Sequence, residues 1–251
     1  MDMDELGVDL ILLTAQPSGM LADREKLRFG LSGSELVRLV AARRVDIVKG
    51  RIVALDTAPT GDPLLDQALA SMAGGRHGPT AKTWVARRRK DHVRLYQERL
   101  AADGIIRADQ YNFLGFIPAV RWKIADTARA AQARSRLEAV AASTGPVQPA
   151  QAALAGLATA TGAADLVFPG WSGRAARKRL KQAASGDFTA ARASRAAAGA
   201  NASDEALREA MNDSITSAID SAVHAAVHAA TDATHHAAHS AAHSAGGTGH
   251  H

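Results

Sequence analysis

The chain has 251 residues, 47% of them hydrophobic, 22% charged and none cysteine, the composition of a soluble globular protein with enough apolar material for one core. Without cysteine there is no disulfide scaffold, thiolate zinc site, iron–sulfur cluster or cysteine nucleophile. The formal charge of +5 is uneven: residues 201–251 hold six acids against one base, which leaves about +10 on residues 1–200 and points to an anionic partner such as lipid headgroups, nucleic acid or an acidic protein.

Abundant alanine and only 4% aromatic residues predict a mainly α-helical chain. Residues 4–15 read as a short apolar helix that starts on acids, which suit a helix N-terminus. No run approaches the ~20 apolar residues of a membrane span, and Asp2, Asp4 and Glu5 do not open a secretory signal, so the chain is expected neither to cross a membrane nor to be exported. Ser32 to Ala42 predicts a second helix, and VDIVKGRIVALD a short hairpin about Lys49-Gly50. In Pro59-Thr60-Gly61-Asp62-Pro63, Asp62 should cap a helix that begins at Pro63 and stops at Gly74-Gly75, with Asp66 in its solvated first turn.

Residues 80–103 predict one long basic helix, ended by Gly104. From Tyr111 to Ile124 the aromatics gather around Gly115 and Pro118, a hairpin or apolar loop and not a helix. Alanine-rich helices should follow near 126–143 and 148–162. Phe168-Pro169-Gly170-Trp171 then breaks the chain before the basic helix RAARKRLKQAA. Beyond residue 200, Leu207, Met211, Ile215, Ile219, Val223 and Val227 recur every fourth residue, a narrow stripe on one helix; the remaining Ala, His, Ser and Gly lack core-forming side chains. The expected division is a helical domain over 1–200, with one or two short β-hairpins, and an Ala/His-rich tail over 201–251, helical to about 230 and frayed after it.

Four words in order resemble the Golgi phosphoprotein three family in its bacterial form. The most specific is Pro59-Thr60-Gly61-Asp62-Pro63-Leu64-Leu65-Asp66-Gln67-Ala68-Leu69. Ahead of it stand Gly30-Leu31-Ser32-Gly33 through Leu36, Arg43-Arg44 and Ile52-Val53. After it come Thr83-Trp84, Glu98-Arg99-Leu100, Gly104-Ile105-Ile106 and Asn112-Phe113-Leu114 with Phe116, and then Phe168-Pro169-Gly170 and Arg177 to Lys181. These words span roughly residues 4–195. The resemblance implies a helical, non-enzymatic adaptor that associates peripherally with membranes from the cytoplasm, binds phosphatidylinositol 4-phosphate, and uses an apolar hairpin for insertion or self-association. In the Golgi members a tryptophan and three arginines hold the inositol phosphate. Aligned by the glycines, the tryptophan position falls near Asp23 and the first arginine on Ser32; the other two fall among Lys90, Val93, Arg94 and Leu95.

The residues themselves support two surfaces. Arg87, Arg88, Lys90 and Arg94, with Arg89 among them, form a basic block suited to anionic headgroups, each cation contributing about 1 kcal/mol; a solvated helix face is the plainer reading. Phe113, Phe116, Ile117 and Trp122 define the membrane or oligomer hairpin, read as tipped by the tryptophan with Arg121 and Lys123 beside it; ordinary core aromatics are the alternative. A second block, Arg174, Arg177, Lys178, Arg179 and Lys181, has similar density. Tail histidines four apart could share a transition metal, but a low-complexity tract without ligand is the reading adopted, so no metal or cofactor is assigned. No phosphate loop, GxSxG or HExxH occurs. Anionic membrane lipid is therefore the expected partner, with a homo-oligomer through the hairpin and unnamed client proteins beside it. The rival is a basic helical nucleic-acid binder.

Overall fold

The computed structural model describes residues 3–22, 26–48, 51–72, 78–86, 91–113, 116–145 and 147–184. The tail over 201–251, Asp23, and the basic residues Arg87, Arg88 and Lys90 lie outside them. A 3₁₀ turn, Met3–Glu5, leads into α1 (Leu6–Leu12) and α2 (Leu27–Ala41); β1 (Val45–Val48) and β2 (Arg51–Ala54) precede α3 (Pro63–Met72), α4 (Ala81–Ala86) and α5 (His92–Ala102). Then come β3 (Ile106–Phe113), β4 (Ile117–Ile124), α6 (Thr127–Ala142), α7 (Pro149–Thr161), α8 (Ala163–Val167) and α9 (Arg174–Ala184). The architecture is mainly helical, and the strands form two separate antiparallel hairpins, β1-β2 and β3-β4.

Local chemistry sets the helix ends. Asp126 accepts the backbone N–H of Arg129 at 2.9 Å and opens α6. Gln148 and Gln151 make a reciprocal capping box with Pro149 in the first turn of α7, and Gly162 closes that helix at φ +78°. The core gathers around α7, whose alanines and Gly156 are almost all buried and which packs on α1, α2, α6 and α9. Small side chains let these helices approach closely. Gly30 of α2 marks the tightest approach to α7: a Cβ there would lie 2.3 Å from Thr161 Cγ2 and 2.7 Å from Leu10 Cδ2. The Thr161 hydroxyl donates to Leu157 O at 2.8 Å, so that side chain does not swing aside freely.

Gly30→Ala should accordingly destabilise the protein by about 1–3 kcal/mol, although the same exchange in an exposed helix adds about 1 kcal/mol of stability. Urea denaturation decides it, and a stabilised variant would contradict the close packing of α2 on α7.

The first expected helix is shorter than the sequence predicts. It ends at Leu12, after which Ala15 pairs with Leu21 and Leu21 N–H donates to Trp122 O at 2.8 Å. Within the basic helix expected over 80–103, the described residues carry α4 and α5, both packed on α2, and residues 87–90 between them lie outside the described ones. Trp84 and Val85 bury on the first; His92, Tyr96 and Leu100 bury on the second.

Candidate functional site

Helix α2 is apolar yet buries Glu35 and Arg38, 0% and 8% exposed. Such charges require partners. Arg38 Nη2 lies 3.3 Å from Asp4 Oδ1 and 3.0 Å from Asp62 Oδ2. The other Asp62 oxygen accepts from Arg99 Nη1 at 2.6 Å and from the N–H of Leu64 at 3.0 Å, which makes it the cap of α3 that the sequence predicts. Burial works to push the Asp62 carboxyl up, but the hydrogen bond and charge of Arg38, with the charge of Arg99, outweigh it and hold the group below its ordinary value. An acid held ionised, with both oxygens engaged, is a poor general base.

Asp66 differs from its expected solvated role: it accepts the N–H and the hydroxyl of Thr60, each at 2.6 Å, and so closes the Thr60-Gly61-Asp62 turn onto the helix. These bonds hold its carboxyl below the ordinary value. Nearby, Glu35 Oε1 stands 3.3 Å from His92 Nε2 and 3.4 Å from the Tyr96 hydroxyl, and the two rings meet edge to face at 5.3 Å. Burial pushes the Tyr96 hydroxyl far up, so it stays neutral and serves as a donor. The motif that resembles the family most therefore has an architectural role: it locks α2, α3 and α5 together. Among the described residues no group of three or more His, Asp or Glu is arranged to hold a metal ion.

The hairpin β3-β4 projects from this body in continuous register from Ile106↔Ile124 at its base to Phe113↔Ile117 at its end. Trp122 pairs with Ala108, third from the base, and packs half-buried against the core with Ile124. It does not tip the hairpin. The ladder ends at Phe113↔Ile117, with Phe116 just before β4, and Trp122 lies six residues beyond Phe116. The exposed apolar side chains are Phe116 at 75%, Val120 at 54% and Ile117 at 43%; Phe113 ends its strand there. Arg121 and Lys123 share a face with Ile117, opposite Val120 and Trp122: Lys123 Nζ pairs with Asp109 at 2.8 Å, and the Arg121 guanidinium lies 3.7 Å over the Tyr111 ring.

Of the proposed headgroup residues, only Arg94 is among those described. It is exposed on α5 and bonds Glu98 Oε1 at 2.6 Å, a partner one turn on that a reading confined to the block overlooks. Ser32, at the position of a family arginine, is buried and donates to Arg28 O at 2.9 Å. In α9 the basic residues divide. Arg179 turns inward to Ser143 O at 2.5 Å and Gly145 O at 2.5 Å, and Arg177 bonds Phe168 O and Gly170 O and faces Asp165. Arg174, Lys178 and Lys181 point outward.

No curated protein matches the chain. The Golgi phosphoprotein 3 (GPP34) family profile matches residues 6–234, beyond residue 195 where the resemblance read word by word ends. The match takes in most of the sequence, and the chain belongs to the Golgi phosphoprotein 3 family.

Proposed function

We propose that this protein is a non-enzymatic adaptor that docks peripherally, from the cytoplasm, on membranes rich in anionic lipid. The observation that carries the reading is the β3-β4 hairpin, with its base packed on the core and Phe116, Ile117 and Val120 left exposed at its outer half. An apolar tip above a strand face with Arg107, Arg121 and Lys123 suits insertion to headgroup depth, where the side chains leave water and the cations meet phosphate. Arg87, Arg88, Lys90 and Arg94 add charge attraction from α5 and the residues before it. No helix among the described residues is long and apolar enough to cross a membrane. The same tip could join two copies of the chain.

With Asp23 and Ser32 at the positions where the Golgi members carry tryptophan and arginine, the binding should follow negative charge and not one inositol phosphate. Sedimentation with neutral, phosphatidylserine and phosphatidylinositol 4-phosphate vesicles tests this, beside a duplex-DNA shift at matched salt. Equal binding to the two anionic vesicles at equal surface charge is expected. Selective binding to the phosphoinositide would restore the family's specificity, and binding to DNA but not to vesicles would replace the adaptor by a nucleic-acid binder.

A further inference from the structure

The described residues present a second charged surface, which shares nothing with the hairpin or α5. Helix α9 packs on α6 and α7 and buries Leu180 and Ala183, so its apolar side is occupied. Arg174, Lys178 and Lys181 follow at spacings of four and three on the opposite side, and all three are exposed. None of them is paired with a carboxylate among the described residues. They border an open depression of about 630 Å³ whose other walls are Gly170, Trp171 and Arg177.

At the rim stands Trp171, 84% exposed, with the Arg174 guanidinium 5.5 Å from its ring. Trp84 is buried and Trp122 half-buried, so this indole alone of the three is offered to solvent. Its position is not that of a loose loop. Arg177 bonds the carbonyls of Phe168 and Gly170, Gly170 sits at φ +64°, and a Cβ on Gly173 would lie 2.2 Å from Phe168 O, so the turn that carries Trp171 is held tightly to the start of α9.

We infer that the Trp171–α9 face is a second docking surface, and that its occupant is the surface of an anionic bilayer. Three cations along one side of a helix, over about 10 Å, attract a plane of phosphates, while a fixed indole at the edge supplies the apolar contact at headgroup level. Because the apolar side of α9 faces the core, the helix does not sink into the bilayer. It lies against the headgroups with Trp171 as its anchor.

Two measurements on the full chain test the surface. R174Q/K178Q/K181Q should lower partitioning onto phosphatidylcholine vesicles containing phosphatidylserine roughly 100-fold, and leave the thermal melt unchanged because all three residues are exposed. Brominated lipids should quench the wild-type tryptophan fluorescence, and Trp171→Phe should remove most of that quenching while Trp84 and Trp122 remain. A folded triple variant that partitions like wild type with Trp171 unquenched overturns the inference, as does a loss of duplex-DNA binding with vesicle binding intact. The two surfaces are scored separately. If changes at Phe116 and Arg94 abolish binding and those on α9 do not, this inference fails and the hairpin reading stands; the reverse result removes the hairpin reading and keeps this one.

Discussion

Exchange of Arg87, Arg88, Lys90 and Arg94 for Glu is expected to abolish co-sedimentation with anionic vesicles at low salt. Loss of four cations at about 1 kcal/mol each corresponds to roughly 1000-fold in partitioning, before the repulsion of four new carboxylates is added. The effect should fade as salt rises, because screening weakens both attraction and repulsion. Arg94 should contribute less than the others, since its ion pair with Glu98 already partly neutralises it. Arg94→Glu also sets two carboxylates one turn apart, at a cost of a few tenths of a kcal/mol to α5. The apolar contribution is separable: Phe116→Ser should weaken binding with little change in salt dependence. Trp122→Ala should instead lower the melting temperature, because that ring packs on the core. A charge-reversed protein that melts like wild type and still sediments with vesicles would reduce the basic block to a solvated surface.

Asp62→Ala should lower the free energy of unfolding by about 3–5 kcal/mol. The carboxylate is 13% exposed and serves Arg38, Arg99 and the first turn of α3 together. Its removal leaves Arg38, itself only 8% exposed, with Asp4, which is 74% exposed and a weak counter-charge. Adding Arg38→Met should recover part of the loss, because the second change removes the stranded buried charge. The pH profile follows from the depressed carboxyl. A folded-state value below the ordinary 3.8 means the stabilisation is present above that value and is lost as pH falls through the lower, folded one. Asp62→Asn keeps a side-chain oxygen for the cap but lacks this acid-labile portion. Denaturant midpoints for the two proteins should therefore converge in acid, and a constant difference down to pH 2 would exclude Asp62 as the source.

Elements whose cause is local are legible in the sequence. RAARKRLKQAA occupies α9 from Arg174 to Ala184, VDIVKGRIVALD contains β1 and β2, and the aromatic run broken by Gly115 and Pro118 is a hairpin. Trp122 shows how a correct element can still mislead about a side chain. The ladder ends at Phe113↔Ile117, and Trp122 lies five residues farther along β4 toward its base, so counting on from Gly115 in the sequence is enough to put the indole near the body. The Asp62 network is different in kind. Arg38 and Asp62 are 24 residues apart, and Arg99 a further 37, so only the packing of α2, α3 and α5 brings them together. Likewise nothing in the spacing of the α9 cations separates the inward Arg177 and Arg179 from the outward Arg174, Lys178 and Lys181, except the position of Leu180 and Ala183 against the core.

Helix α7 limits how the chain can vary. Its buried positions from Ala150 to Thr161 are filled mostly by alanine, the side chain of best helix propensity and nearly the smallest. Enlarging any of them pushes a neighbouring helix outward. Trimming to glycine loosens the helix itself, at about 1 kcal/mol each. Leucine cores can trade volume between neighbours, one side chain growing as another shrinks. The alanine positions have little volume to trade, so an enlarged side chain at one of them has to be offset by Leu154, Leu157 or a side chain on a neighbouring helix.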